Sequence, residues 1–105
     1  MKSSFLKKPA LPVEKMIVNT IIRHAQPQKI ILFGSRVRED AQERSDYDVA
    51  IDDEQLTRAA LAHIRADLEE LPTLLAIDLV WMKHATPVLR QRILSEGKVL
   101  YEQKD

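Results

Sequence analysis

From Asp46 to Ile51 the chain alternates strictly: Tyr47, Val49 and Ile51 are large and apolar, while Asp46, Asp48 and Ala50 are acidic or small. A period of two marks a β-strand, because successive side chains leave opposite faces of the pleat. One face of this strand must enter a core, and the other must carry two carboxylates only two residues apart. Two anions that close repel unless a cation or a proton lies between them. Magnesium favours a couple of carboxylates completed by substrate phosphate oxygens. Asp46 and Asp48 are therefore candidate metal ligands. Taken alone, an Asp-x-Asp is more often a loop or a solvated strand edge, so its surroundings decide.

Upstream, Lys29 to Phe33 is a β-branched, nearly all-apolar run that predicts a strand buried on both faces. Gly34-Ser35 breaks it. Glycine lets backbone approach a phosphate closely, and a helix N-terminus offers free N–H groups and the positive end of a dipole. A short helix is expected from Ser35 to about Ala41, followed by a polar loop through Ser45. The Ser35 hydroxyl adds a donor. Arg36 and Arg38 are placed to neutralise a triphosphate, with plain solvation the competing reading for Arg36. Downstream, Leu75 to Met82 predicts a third strand, apolar apart from Asp78. A carboxylate there is costly to bury unless paired or metal-bound. If this strand lies beside the second, Asp78 completes a triad able to hold two metal ions about 3.5–4 Å apart for in-line phosphoryl displacement.

Helical spacing accounts for the remaining segments. Pro12 opens a helix whose apolar residues Val13, Met16, Ile17, Ile21 and Ile22 run to about Ala25, ahead of Pro27. Asp52 or Asp53 is placed to cap a second helix, with Leu56, Ala60, Ile64, Leu68 and Leu71 as its buried stripe and Pro72 as its stop. Thr86-Pro87 opens a third, with Leu89, Ile93 and Leu94 facing inward and Gly97 as its C-terminal cap. Lys98 to Tyr101 predicts a short edge strand. This order predicts an α/β (α+β) fold, a small mixed β-sheet flanked by helices. Residues 1–11 read as a flexible lead-in and residues 12–105 as a single domain.

A chain of 105 residues has one core and no room for a separate acceptor domain. Sixteen basic and sixteen acidic side chains cancel, so there is no strong nucleic-acid signature. The lack of cysteine excludes disulfides and thiolate metal sites. No apolar run suits a signal peptide or a membrane span, so a cytoplasmic protein with no membrane partner is expected. His24, His63 and His84 show no metal-ligand spacing and are read as structural or exposed. Tyr47 and Trp81 are read as core.

The segment LFGSRVREDAQERSDYDVAI resembles the signature of the minimal nucleotidyltransferases (MNT) of the DNA polymerase beta superfamily. Their pattern is a strand, Gly-Ser, about ten residues, Asp-x-Asp, and a third aspartate on a later strand; here ten residues separate Ser35 from Asp46. AIDLVW around Asp78 is similar to the third segment, and SEGKVLYE to the usual end of these domains. The likeness runs from about Pro12 to Glu102, with Glu39 standing where many of these proteins carry glycine. The resemblance implies a polymerase-beta-like nucleotidyltransferase palm. In it Gly34, Ser35 and Arg36 bind the nucleotide, and Asp46, Asp48 and Asp78 ligate Mg2+. Asp78 also helps to deprotonate the attacking hydroxyl. It further implies AMP transfer from ATP to a hydroxyl, a tyrosine's, on a partner HEPN-domain toxin. The two would form a hetero-oligomeric toxin–antitoxin module, with AMPylation as the antitoxin activity. The alternative is a non-catalytic antitoxin that neutralises the toxin by binding it. A third reading is an aminoglycoside-modifying or nucleotide-polymerising activity with a helper subunit.

Overall fold

Strand β1 (Lys29–Phe33) is buried at every residue from Ile30 onward. Its side chains divide between two cores, Ile30 and Leu32 on one face and Ile31 and Phe33 on the other. A strand with a core on each side belongs in the interior of a sheet, and β1 lies between two antiparallel neighbours. These are β2 (Tyr47–Asp52) and β4 (Lys98–Glu102). Strand β3 (Ile77–Trp81) joins β2 in parallel, giving a four-stranded mixed sheet in the order β3-β2-β1-β4. The computed structural model describes residues 12–37 and 46–104. The expected lead-in, residues 1–11, and the expected polar loop with Arg38 and Glu39 lie outside the described residues.

Helices α1 (Val13–Ile22) and α2 (Arg58–Glu69) cover one face of the sheet. Ile17 and Ile21 of α1 and Leu61, Ile64 and Leu68 of α2 meet Ile30, Leu32, Tyr47, Val49 and Ile51. Each fully buried isoleucine contributes about 1.5–3 kcal/mol, enough to dock helices this short. The parallel β2–β3 pair needs a long crossover, and α2 supplies it. Helix α3 (Pro87–Glu96) packs on the opposite face, with Ile93 and Leu89 against Ile31, Phe33, Ala50 and Met82. Arg90 ties it down by donating to the Met82 carbonyl at 2.6 Å. Among the described residues no helix is long and apolar enough to cross a membrane.

Several local expectations are corrected. Helix α1 ends at Ile22, short of Ala25, and Pro12 is its N-cap. Helix α2 is capped not by Asp52 or Asp53 but by Thr57, whose hydroxyl accepts from Ala60 N–H at 3.0 Å. Asp53 instead closes a turn, its carboxylate accepting from Gln55 N–H at 2.9 Å. Leu94 is exposed, because α3 turns only its Ile93 side fully into the core. Thr86 caps α3 as expected, accepting from Leu89 N–H at 3.2 Å. Gly97 ends that helix in an extended conformation rather than a left-handed one. Glycine is needed there for space: a Cβ would run into Ile31 Cγ2 and lie 2.5 Å from the Ile93 carbonyl oxygen.

Candidate active site

The period of two in β2 forces its chemistry onto one side. Tyr47, Val49 and Ile51 fill the α1/α2 core, so Asp48 and Ala50 face the α3 side. There Asp48 stands opposite Phe33 of β1 and in register with Asp78 of β3. Neighbouring strands lie about 4.8 Å apart, so the two carboxylates rise side by side from one face. Asp48 is half-buried and Asp78 is exposed, which leaves this part of the face open. The burial cost weighed from the sequence does not arise for Asp78: β3 is an edge strand, and its second residue meets solvent. Like charges directly opposite on neighbouring strands destabilise a sheet. Packing does not require the pair.

Gly34 closes the site from the β1 side. Its φ is +80°, a left-handed conformation that side chains other than glycine's rarely adopt. A Cβ built on it would collide with Asp48 Oδ2 and sit 3.2 Å from Asp48 Cγ. The absent side chain is therefore the cradle in which the Asp48 carboxylate lies. Gly34–Arg36 forms a single 3-10 turn closed by Val37 N–H donating to the Gly34 carbonyl at 3.2 Å. The helix expected from Ser35 to about Ala41 is represented by this turn alone within the described residues. Ser35 is half-buried in it. Arg36 holds its guanidinium 4.3 Å from the centroid of the Tyr47 ring, a cation–π contact that neither sequence reading foresaw.

Asp46 precedes the first residue of β2. Its carboxylate accepts a hydrogen bond from Ala76 N–H at 3.3 Å, and Tyr47 N–H donates to the Ala76 carbonyl at 3.0 Å. Ala76 therefore positions Asp46, a role no sequence pattern announces because it depends on the β2–β3 register. The three aspartates reach the same end of the sheet. Among the described residues, however, no three imidazole or carboxylate groups are close enough to form a ready-made metal cage. Asp48 and Asp78 nevertheless suit a divalent cation. They are adjacent on an open face, one of them seated against Gly34, and Mg2+ takes phosphate oxygens readily beside a pair of carboxylates.

The histidines serve elsewhere. His24 Nε2 lies 2.6 Å from Asp67 Oδ2, and its ring stacks on His63 with 5.9 Å between centroids. The hydrogen bond with His24 holds the Asp67 carboxyl below its ordinary range, opposed by desolvation and helped by the charges of His24, Arg23 and His63. These groups join α1 to α2. Trp81 is half-buried against the first core and donates to the Asp53 carbonyl at 3.4 Å, with His84 edge-on to it at 4.4 Å.

Residues 15–105 match the family described as polymerase beta, nucleotidyltransferase. The chain belongs to the polymerase beta nucleotidyltransferase family. Among solved structures, a toxin–antitoxin complex with AMP-PNP shares 27% identity over 87% of this chain and 74% of that one, with a TM-score of 0.71. A tri-AMPylated Shewanella oneidensis HEPN toxin in complex with its MNT antitoxin matches at 26% identity, covering 87% and 71%, with a TM-score of 0.65. A minimal nucleotidyltransferase matches at 24% identity over 87% of this chain and 98% of that one, with a TM-score of 0.64, and supports the fold. No curated protein sequence matches the chain significantly. As a nucleotidyltransferase the chain has the expected mixed sheet and flanking helices, and its two in-register aspartates lie where strands β2 and β3 begin.

Proposed function

We propose that this nucleotidyltransferase transfers AMP from ATP to a hydroxyl, a tyrosine's, on a partner HEPN-domain toxin and so acts as its antitoxin. The observation that carries the reading is the register of Asp48 with Asp78 beside the Cβ-free cradle of Gly34. The AMP-PNP complex and the AMPylated toxin complex among its structural neighbours support it. Asp48 and Asp78, with Asp46 beside them, would hold Mg2+. The ion supplies charge neutralisation for the phosphates when bound. Gly34 admits the triphosphate to the backbone, Ser35 donates its hydroxyl to a phosphate oxygen, and Arg36 lies next in the same turn. Asp78, the exposed member, accepts the proton of the acceptor hydroxyl. That oxygen forms a bond to the α-phosphorus, the bond from the α-phosphorus to the bridging oxygen breaks, and pyrophosphate leaves.

The second reading, neutralisation by covering the toxin, is favoured by one observation: the three aspartates are not closed into a cage within the described residues. One assay separates the two. Protein, co-encoded partner, Mg2+ and α-labelled ATP should give labelled partner, and Asp46→Asn with Asp48→Asn should abolish the label. Neutralisation of the partner without any label would establish the binding reading instead.

A further inference from the structure

Among the described residues, the outer side of β3 is a bare sheet edge. In a parallel ladder, alternate residues of each strand turn their backbone groups toward the neighbour. Tyr47 N–H donates to the Ala76 carbonyl, so Ala76, Asp78 and Val80 face β2. Ile77, Leu79 and Trp81 therefore turn their N–H and C=O groups outward, and among the described residues no strand pairs with them. Proteins protect such edges, often with charge. The opposite edge is protected: in β4, Lys98 pairs with Glu14 at 3.4 Å and Glu102 with Lys29 at 4.0 Å. Strand β3 reads Ile-Asp-Leu-Val-Trp, and its one charge, Asp78, belongs to the site.

Two hollows border this edge, one of ≈ 470 Å³ reaching from Asp78 past Leu79 to Arg65 and one of ≈ 390 Å³ among Arg65, Arg58, Trp81 and His84. Arg65 lines both, so the two adjoin along the edge, the first beginning at Asp78 and the second ending at Trp81 and His84. Arg58 and Arg65 are exposed on α2 and have no carboxylate within ion-pair distance among the described residues. Glu69 is the first hollow's other acidic member.

We infer that an extended, acidic segment of the acceptor protein adds to β3 as an edge strand and presents its hydroxyl side chain beside Asp78. This deepens the AMP-transfer reading and rests on it. The pleat then dictates the preferred sequence. A side chain next to Asp78 lies on the carboxylate face, so its immediate neighbours lie on the α2 face. Arg65 and Arg58 stand seven residues apart on α2, about 10 Å along a helix. On a strand the side chains of one face recur every two residues, about 6.7 Å apart, and the long arginine side chains can close the remaining difference. The segment is therefore acidic one and three residues from its hydroxyl, on the side running toward Trp81.

Trp81 is the single tryptophan and lines the second hollow, so its fluorescence reports occupancy without any turnover. The probes are two synthetic peptides, tyrosine with glutamate one and three residues after it for parallel addition and one and three residues before it for antiparallel addition, each compared with the same peptide carrying lysine there. One of the glutamate peptides should perturb Trp81 and accept label from α-labelled ATP. Its KM should rise about tenfold in Arg58→Glu with Arg65→Glu, with kcat and the KM for ATP unchanged, as expected where charge at a rim steers association. N-methylating the peptide amides that face β3 should abolish binding, while methylating the alternate set should not. Equal responses to the glutamate and lysine peptides, indifference to the N-methyl pattern, or label passing to RNA rather than protein would each overturn the inference. If wild type labels the intact partner while the double arginine variant keeps its KM, the edge site is wrong and AMP transfer stands. If wild type labels nothing yet Trp81 still discriminates the peptides, the transfer reading fails and the edge site stands.

Discussion

Replacing Gly34 with alanine tests whether the cradle and the Asp48 carboxylate form one unit. Two costs are visible. Holding alanine at φ +80° costs about 1–2 kcal/mol. The new methyl also collides with Asp48 Oδ2 and lies 3.2 Å from Cγ, so the carboxylate must leave its place, at about 1–3 kcal/mol for an overpacked contact. Gly34→Ala should therefore lose about 2–5 kcal/mol, a fall in Tm on the order of 10 °C or more for a domain this size. A double-mutant cycle separates the two costs. In an Asp48→Ala background only Asp48 Cβ remains near the added methyl, at 3.4 Å, an ordinary contact. The glycine substitution should then cost only the backbone part. Denaturant titration of the four proteins should give a coupling of about 1–3 kcal/mol, well outside the scatter of independent sites. Because the carboxylate is displaced, label transfer by the single variant should fall about a hundredfold. A coupling under about 0.5 kcal/mol would refute the cradle, since the collision would then have been relieved at no cost.

Three further outcomes follow from the geometry. Asp78→Asn should abolish transfer yet leave metal-free stability unchanged or raised by about 0.2–1 kcal/mol, because it removes a like charge beside Asp48; clear destabilisation in thermal melts would count against the pairing. Thr57→Ala should cost about 1 kcal/mol in denaturant titration, whereas Asp52→Ala should not show a cap's cost, which distinguishes the observed cap from the expected one. Asp67 has a depressed carboxyl, so its native state binds fewer protons than the unfolded chain in the acid range. Its contribution is complete above the ordinary carboxylate range and is lost as pH falls through the depressed value. The stability difference between wild type and Asp67→Asn should shrink over that window, and a difference that grows with acidity would contradict the His24 pairing.

Much of this fold is written in side-chain periodicity. The unbroken apolar run of β1 announced a central strand, and the alternation in β2 announced one core face and one acidic face. Both are local consequences of the pleat. What depends on strand order was not legible. An apolar run such as Ile77–Trp81 looks alike in a central strand and in an edge strand that keeps half its surface, so the exposure of Asp78 was not legible in it. The cap of α2 was misassigned because Asp52, Asp53 and Thr57 are all good N-caps, and the Asx turn at Asp53 moves the helix start on by several residues. The neighbourhood of Asp48 and Asp78 was conditional on β3 lying next to β2, which it does. The seating of Asp46 on Ala76 and of Arg36 over Tyr47 depends on three-dimensional register, for which a single sequence has no signal.

Tyr47 separates the two aspartates of Asp-x-Asp, and its ring is sunk in the hydrophobic interior. The acidic face therefore has no phase of its own: it inherits that of the interior. Deleting or inserting one residue between Tyr47 and Ile51 would turn the carboxylates inward and the aliphatic side chains outward, and the chain would lose fold and chemistry together. The sequence between Val37 and Asp46 lies outside that lock. Its length and composition are free to drift without inverting the strand. Lineages built on this scaffold can change that segment far more readily than they can shift the carboxylates by a single position.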